Sequence, residues 1–291
     1  MGGRRLLRRR RSQICPAPAH SGLRRVYRRD ARWRNVGGSG QWLPANSPYN
    51  ADIPYNLKQA ALFGEFSYDI TNQLTGTAGL RYYDYKEERT FKSGGLFANG
   101  DNASDETKSD GYNPRFLLAW KMSPNVTWNA QASKGFRLGG VNDPLNVPLC
   151  KPEDRLIFGG YQRFEDESLW NYEAGVKVQR PGMRFNAAIF HTQMENLQVT
   201  LDAGSCSSRV VFNVPKAHST GLEAELTFLP TENLEVGFAG SVVNAEFDST
   251  VVDGTGAVIG GIREGNRLPS VPKAQFTATA QNAEQAPKVK F

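Results

Sequence analysis

Two carboxylates at a spacing of two residues are the first candidates for chemistry. Glu223 and Glu225 project to the same side of an extended backbone. Such a pair could act as general acid and base around an activated water. No nucleophile or metal set stands near them in sequence, so ion pairing in a polar interior is the expected role and no enzyme activity is expected. His20, His191 and His218 lie far apart, and Cys15, Cys150 and Cys206 form no Cys-x-x-Cys. That leaves no zinc or redox motif, and neither metal nor cofactor is expected. Asp101, Asp105, Glu106 and Asp110 could offer oxygens to Ca²⁺, with a solvated acidic loop as the default. Arg137 and Asn142, beside Gly139-Gly140, are candidate ligand contacts. The alternative is that Arg137 pairs with a carboxylate such as Glu173 or Glu223 and that the glycines serve a bend.

The elements that carry these residues are strands. In 126–133, Val126, Trp128, Ala130 and Ala132 alternate with Thr127, Asn129, Gln131 and Ser133; in 115–122, Phe116, Leu118, Trp120 and Met122 alternate with Arg115, Leu117, Ala119 and Lys121. Ser123-Pro124-Asn125 supplies the turn between them. The same period of two predicts nine strands in all: 60–70, 74–91, 112–122, 126–137, 169–179, 183–201, 217–229, 234–252, and one beginning near 273. The phase blurs after Phe190, which predicts a bulge in the sixth strand. The connections alternate. Short turns fall at 71–73, 123–125, 180–182 and 230–233, and longer loops at 93–110, 139–167, 202–214 and 253–272.

A soluble β-sandwich has no reason to sort its loops this way, whereas an outer-membrane barrel does, with short periplasmic turns and long extracellular loops. The fold class expected is therefore all-β: an antiparallel up-and-down meander forming part of a transmembrane barrel. Its lipid face would carry Trp128, Trp170, Tyr172 and Phe228 as an aromatic girdle. No apolar run is long enough for a transmembrane helix, which does not argue against barrel strands.

Charge is uneven along the chain. Residues 1–35 hold twelve Arg and one Asp, and the remainder carries 23 basic against 28 acidic residues. The body is mildly acidic, so no nucleic-acid partner is expected for it; only the arm could support one. Residues 1–56 read as an Arg-rich, disordered or non-native segment with a loop, and 57–291 as the barrel domain. No apolar stretch of signal-peptide length follows the arginines.

Four motifs resemble the TonB-dependent outer-membrane receptors. Lys134-Gly135-Phe136-Arg137 with Gly139-Gly140-Val141-Asn142 is similar to a strand top in that family. Glu167 to Lys177, with Asn171, Tyr172, Glu173, Gly175 and Lys177, resembles a second strand. Asn213 to Glu225, with Ala217, Ser219, Gly221, Glu223 and Glu225, resembles a third, and Arg267-Leu268-Pro269 with Val271-Pro272 the approach to a late strand. The resemblance covers about residues 58–280. It implies a truncated piece of the C-terminal part of a barrel that closes with about 22 strands around a plug, with the plug, the TonB box, the early strands and the last strands expected to be absent. It also implies active uptake of a scarce nutrient, such as an iron–siderophore chelate, cobalamin or a glycan. The partners implied are outer-membrane lipid, a small ligand and the inner-membrane TonB complex acting through the plug; the location implied is the bacterial outer membrane. A passive porin-like channel and a soluble β-sandwich binding module are the alternatives. Cys150 and Cys206 fall in extracellular loops that flank one hairpin. They could be bridged, free, or paired with residues of missing strands.

Overall fold

A computed structural model describes residues 48–95, Ala98 and 102–282. The Arg-rich segment 1–35, Asp101 and the end of the chain from 283 lie outside the described residues. The strands are β1 (Asn50–Asp52), β2 (Tyr55–Asp69), β3 (Leu74–Gly94), β4 (Asn102–Ser123), β5 (Val126–Arg137), β6 (Gly140–Val141), β7 (Arg163–Phe164), β8 (Glu167–Arg180), β9 (Met183–Asp202), β10 (Arg209–Thr231), β11 (Leu234–Phe247) and β12 (Ala274–Asn282). Among the described residues one short α-helix, α1 (Pro152–Phe158), interrupts them. Its start follows from Pro152 at the first helical position and from Glu153 and Asp154 in the first turn, where the helix dipole favours acids.

Every strand pair is antiparallel. Ten strands form one sheet, ordered β1/β2, β3, β4, β5, β8, β9, β10, β11, β12. Because β1 and β2 lie end to end along β3, they fill nine places, the number read from the alternation. Nearest neighbours pair throughout, as short turns require. β6 and β7 form a small separate sheet.

Cross-strand register makes each face continuous. One row runs Leu74, Trp120, Trp128, Val176, Ala187, Ala224, Gly240, Phe276. The adjacent row on the other face runs Thr75, Ala119, Asn129, Gly175, Ala188, Glu223, Ser241, Gln275. No described residue covers the apolar face: Phe116, Trp128, Tyr172, Ile189, Leu222 and Phe276 are all exposed. A soluble protein rarely leaves such an area bare. A sandwich would cover it with a second sheet, and none is present among the described residues. The sheet is one wall of a barrel, with its apolar side toward lipid, and it does not close on itself.

Three expectations change. Residues 102–110 are strand, not loop, because each pairs across with 84–92 of β3. Likewise 209–216 belongs to β10, so the loop between β9 and β10 is only 203–208, while β11 ends at Phe247 rather than near 252. The third concerns the bulge. The β9–β10 pairing keeps one register from Met183 to Asp202, so no extra residue is inserted. Instead Asn196 takes a left-handed conformation (φ 53°) opposite Pro215, and the inward side switches on both strands together. Val210, Phe212 and Val214 are buried above the switch and Ala217 below it.

Candidate functional site

The packed core lies at the loop end of the sheet, on the polar side. Val199, Phe212, Val214, Ala217 and Phe247 from the strand tops are buried with Ile259 and Ile262 from loop 248–273. Ile157, Phe158 and Tyr161 from loop 138–166 complete it. Both loops thus fold inward over the mouth as one cap. The Tyr161 and Phe212 rings stand 5.3 Å apart. Burial of this kind is worth about 1.5–3 kcal/mol per large apolar side chain.

Polar brackets fasten the cap to the strand tops. Asn142 donates from Nδ2 to the carbonyls of Tyr161 (2.8 Å) and Val211 (2.6 Å), and its Oδ1 accepts from the Val211 amide (2.8 Å). Asn213 does the same between Glu165 and Asn196. Buried Gln198 donates to the carbonyls of Leu138 (2.9 Å) and Glu165 (3.1 Å), while its amide donates to buried Glu167 (2.8 Å). Arg267 donates to Asn244 Oδ1 and to the Val271 carbonyl, both at 3.1 Å. Cys150 and Cys206 form a disulfide with a Cα–Cα separation of 4.1 Å, and Cys206 is fully buried. Beside it the Ser205 amide donates to Asp154 at 2.9 Å, and the Lys151 amide to Ser205 Oγ at 2.8 Å. The Ser205 hydrogen bonds hold the Asp154 carboxyl below its ordinary range. In loop 248–273 Asp253 accepts from Thr255 and Ala257, which lowers its pKa in the same way.

The singled-out residues separate by face. Arg137 lies on the polar side and pairs with Glu167 at 3.8 Å, not with Glu173 or Glu223, because Glu167 is its direct cross-strand partner. Glu173 accepts from Gln131 and Glu225 from Asn186, each at 3.3 Å. Among the described residues no ion pair involves Glu173, Glu223 or Glu225. Together with Lys177 they line a shallow polar concavity halfway down the wall. Asn171 accepts from Thr192 at 2.8 Å. Tyr172 sits on the lipid side, stacked with Trp170 at 6.1 Å. Phe136 stacks on Tyr83 at 3.8 Å. Gly135 packs against Leu169, Gly175 against the Ala187 carbonyl, and Gly221 lies under the Phe190 ring. Gly139 and Gly140 do not serve a bend. A Cβ at Gly139 would stand 2.5 Å from the Phe164 carbonyl oxygen, and one at Gly140 2.7 Å from the Phe164 ring, so their role is close approach. Asp105 and Glu106 are paired strand residues rather than a solvated loop: Arg163 binds Asp105, and Lys86 and Lys108 bind Glu106 at 3.0 and 2.9 Å.

Between the cap and the β3–β4 wall lies a cavity of about 720 Å³. Arg89 lines it, hydrogen-bonded to the Val141 carbonyl and to Asp143, and so do Arg155 and the apolar side chains of Phe91, Leu145, Phe158 and Tyr161. Sequence reasoning passed over this site. Arg89, Asp143 and Arg155 share no motif, and only the inward fold of the loop brings them together.

A registered lipid face, a polar inner wall and inward-folded long loops define one side of an outer-membrane β-barrel. The chain belongs to the TonB-dependent receptor-like β-barrel family, whose description matches residues 16–284, and it is an outer-membrane protein. The match begins N-terminal to the stretch that carries the four motifs. The chain is 22% identical over 230 residues to the pesticin receptor of Yersinia enterocolitica, covering 78% of this chain and 30% of that protein. The pesticin receptor of Yersinia pestis gives the same figures. Among solved structures, the ferric yersiniabactin uptake receptor FyuA from Yersinia pestis superposes with a TM-score of 0.61 at 16% identity, over 80% of this chain and 32% of that one. The siderophore receptor PiuA from Acinetobacter baumannii gives 0.58 at 19% identity, over 79% and 31%. The chain therefore spans about a third of the length of these relatives, and the structural likeness shows the fold.

Proposed function

We propose that this chain supplies part of the barrel wall and mouth of a receptor that takes up a scarce nutrient across the outer membrane, of the iron–siderophore type. The observation that carries the reading is the cap. Two extracellular loops are fixed over the mouth by a shared core, a disulfide and at least four polar brackets, which suits selective capture more than free diffusion. Relatives named as a ferric yersiniabactin uptake receptor and a siderophore receptor favour an iron chelate over cobalamin or a glycan. Uptake would draw on the inner-membrane TonB complex through a plug and TonB box that the described residues do not include. Glu173, Glu223 and Glu225 would then face that plug across the lumen, and Arg137, exposed beside Glu167, would remain available at the mouth.

The test is uptake of radioactive iron chelates by cells carrying the complete receptor gene, with and without an intact TonB complex and with a protonophore. Saturable, energy-dependent uptake is expected. Uptake that is linear in concentration and indifferent to the protonophore would instead make the protein a passive channel.

A further inference from the structure

We propose that the cavity between the cap and the β3–β4 wall is a binding site for a small anion with a flat apolar body, such as an aryl carboxylate. This rests on the reading of the mouth as a ligand-receiving surface and names the chemistry it selects. At about 720 Å³ the cavity is in the range of small-molecule sites, which combine apolar walls with a few placed polar groups. Its apolar lining includes Phe91, Phe158 and Tyr161. Its cations are Arg89 and Arg155. Arg89 is mostly buried, and two of its donors are committed to Val141 and Asp143. Its Nε–H is buried with no acceptor among the described residues, which leaves a donor for a bound water or ligand.

Arg155 forms no ion pair among the described residues. It rides on α1, which the Cys150–Cys206 bridge and the Asp154–Ser205 contact hold in place. The acids that line the cavity are already matched: Asp143 with Arg89, and Asp105 with Arg163. The unmatched charge is the guanidinium of Arg155. A planar guanidinium binds a carboxylate through two parallel hydrogen bonds, while the rings on the cap side receive the apolar body.

The test uses the complete receptor extracted from outer membranes in detergent, with benzoate as the probe and benzyl alcohol and acetate as controls, read by titration calorimetry. Benzoate is expected to bind about tenfold or more tightly than either control, since a charged hydrogen bond is worth about 1.5–3 kcal/mol. Arg155→Gln is expected to weaken benzoate about tenfold and leave benzyl alcohol unchanged, and Arg155→Lys to fall between. Arg155 is exposed, so these changes leave the cap folded; an intact Cys150–Cys206 bridge in peptide maps verifies this. Undetectable benzoate binding, equal affinity for benzoate and benzyl alcohol, or benzoate binding unchanged in Arg155→Gln would overturn the proposal. The outcome is separable from the uptake test. Energy-dependent iron uptake without the benzoate signature removes only this site, and the signature without uptake removes only the receptor reading.

Discussion

Replacing Asn142 by alanine removes three hydrogen bonds and strands the amide of Val211 and the carbonyls of Tyr161 and Val211. Half-buried groups left so cost about 1–3 kcal/mol. The loss should be local: in hydrogen exchange, residues 140–166 should exchange faster in Asn142→Ala while β8 and β9 keep their protection. Faster exchange across the whole sheet would mean that Asn142 is part of the barrel's own stability. Asp154 gives a pH dependence. Its folded pKa is depressed by Ser205, so its contribution is present above the unfolded value of about 3.9 and is lost as pH falls through the folded value. Pepsin cleavage within 151–160 should therefore rise as pH drops below about 4, and Asp154→Asn should show the faster cleavage at all acid pH values. At this scale the motif residues were legible as belonging to strand tops. Their partners were not, because Gln198, Arg89 and Asp166, which accepts from the Gly139 amide at 2.6 Å, lie 27 to 61 residues from what they bind, and no local pattern links them.

At the scale of elements, strand existence was legible wherever a lipid face imposed alternation. It failed above the membrane, where both faces are wet. The stretch 102–110 carries Asp, Glu, Lys, Ser and Thr and resembles a loop in composition; it is a strand because β3 opposite it is one. The phase change after Phe190 was legible as an irregularity, but not its nature, a left-handed residue at Asn196 opposite Pro215 of a different strand. The switch makes Asn196 sensitive to shape. Asn tolerates a left-handed backbone and a β-branched residue does not. Asn196→Val is expected to destabilise the β9–β10 tops by about 1–3 kcal/mol, and Asn196→Gly to be nearly neutral. Cap opening in the two variants, followed by protease sensitivity of 203–208, compares them directly. Equal sensitivity would show that the backbone there is unstrained.

For the whole molecule, the register that makes one face continuous also fixes what each face meets. A charge on the lipid side near the middle of the membrane costs about 2–4 kcal/mol, whereas lumen positions tolerate it. Ala130→Arg is therefore expected to lower assembly into the outer membrane sharply, and Gln131→Arg, one residue away, to leave it near normal. Among the described residues the edge strands β2 and β12 pair on one side only, and lipid does not tolerate open edges. Expressed alone, the 291-residue chain is expected in inclusion bodies, and a monodisperse soluble monomer would contradict the barrel. The most direct test of the central claim, that this sheet is a membrane wall with even-numbered β5 residues toward lipid, is a nitroxide scan from 126 to 133 in the complete receptor in bilayers. Oxygen should quench Val126, Trp128, Ala130 and Ala132 labels, and a water-soluble nickel complex Thr127, Asn129, Gln131 and Ser133 labels, in strict alternation. Equal access of the nickel complex to both sets, or exclusion of both reagents from the even set by packed protein, would contradict it.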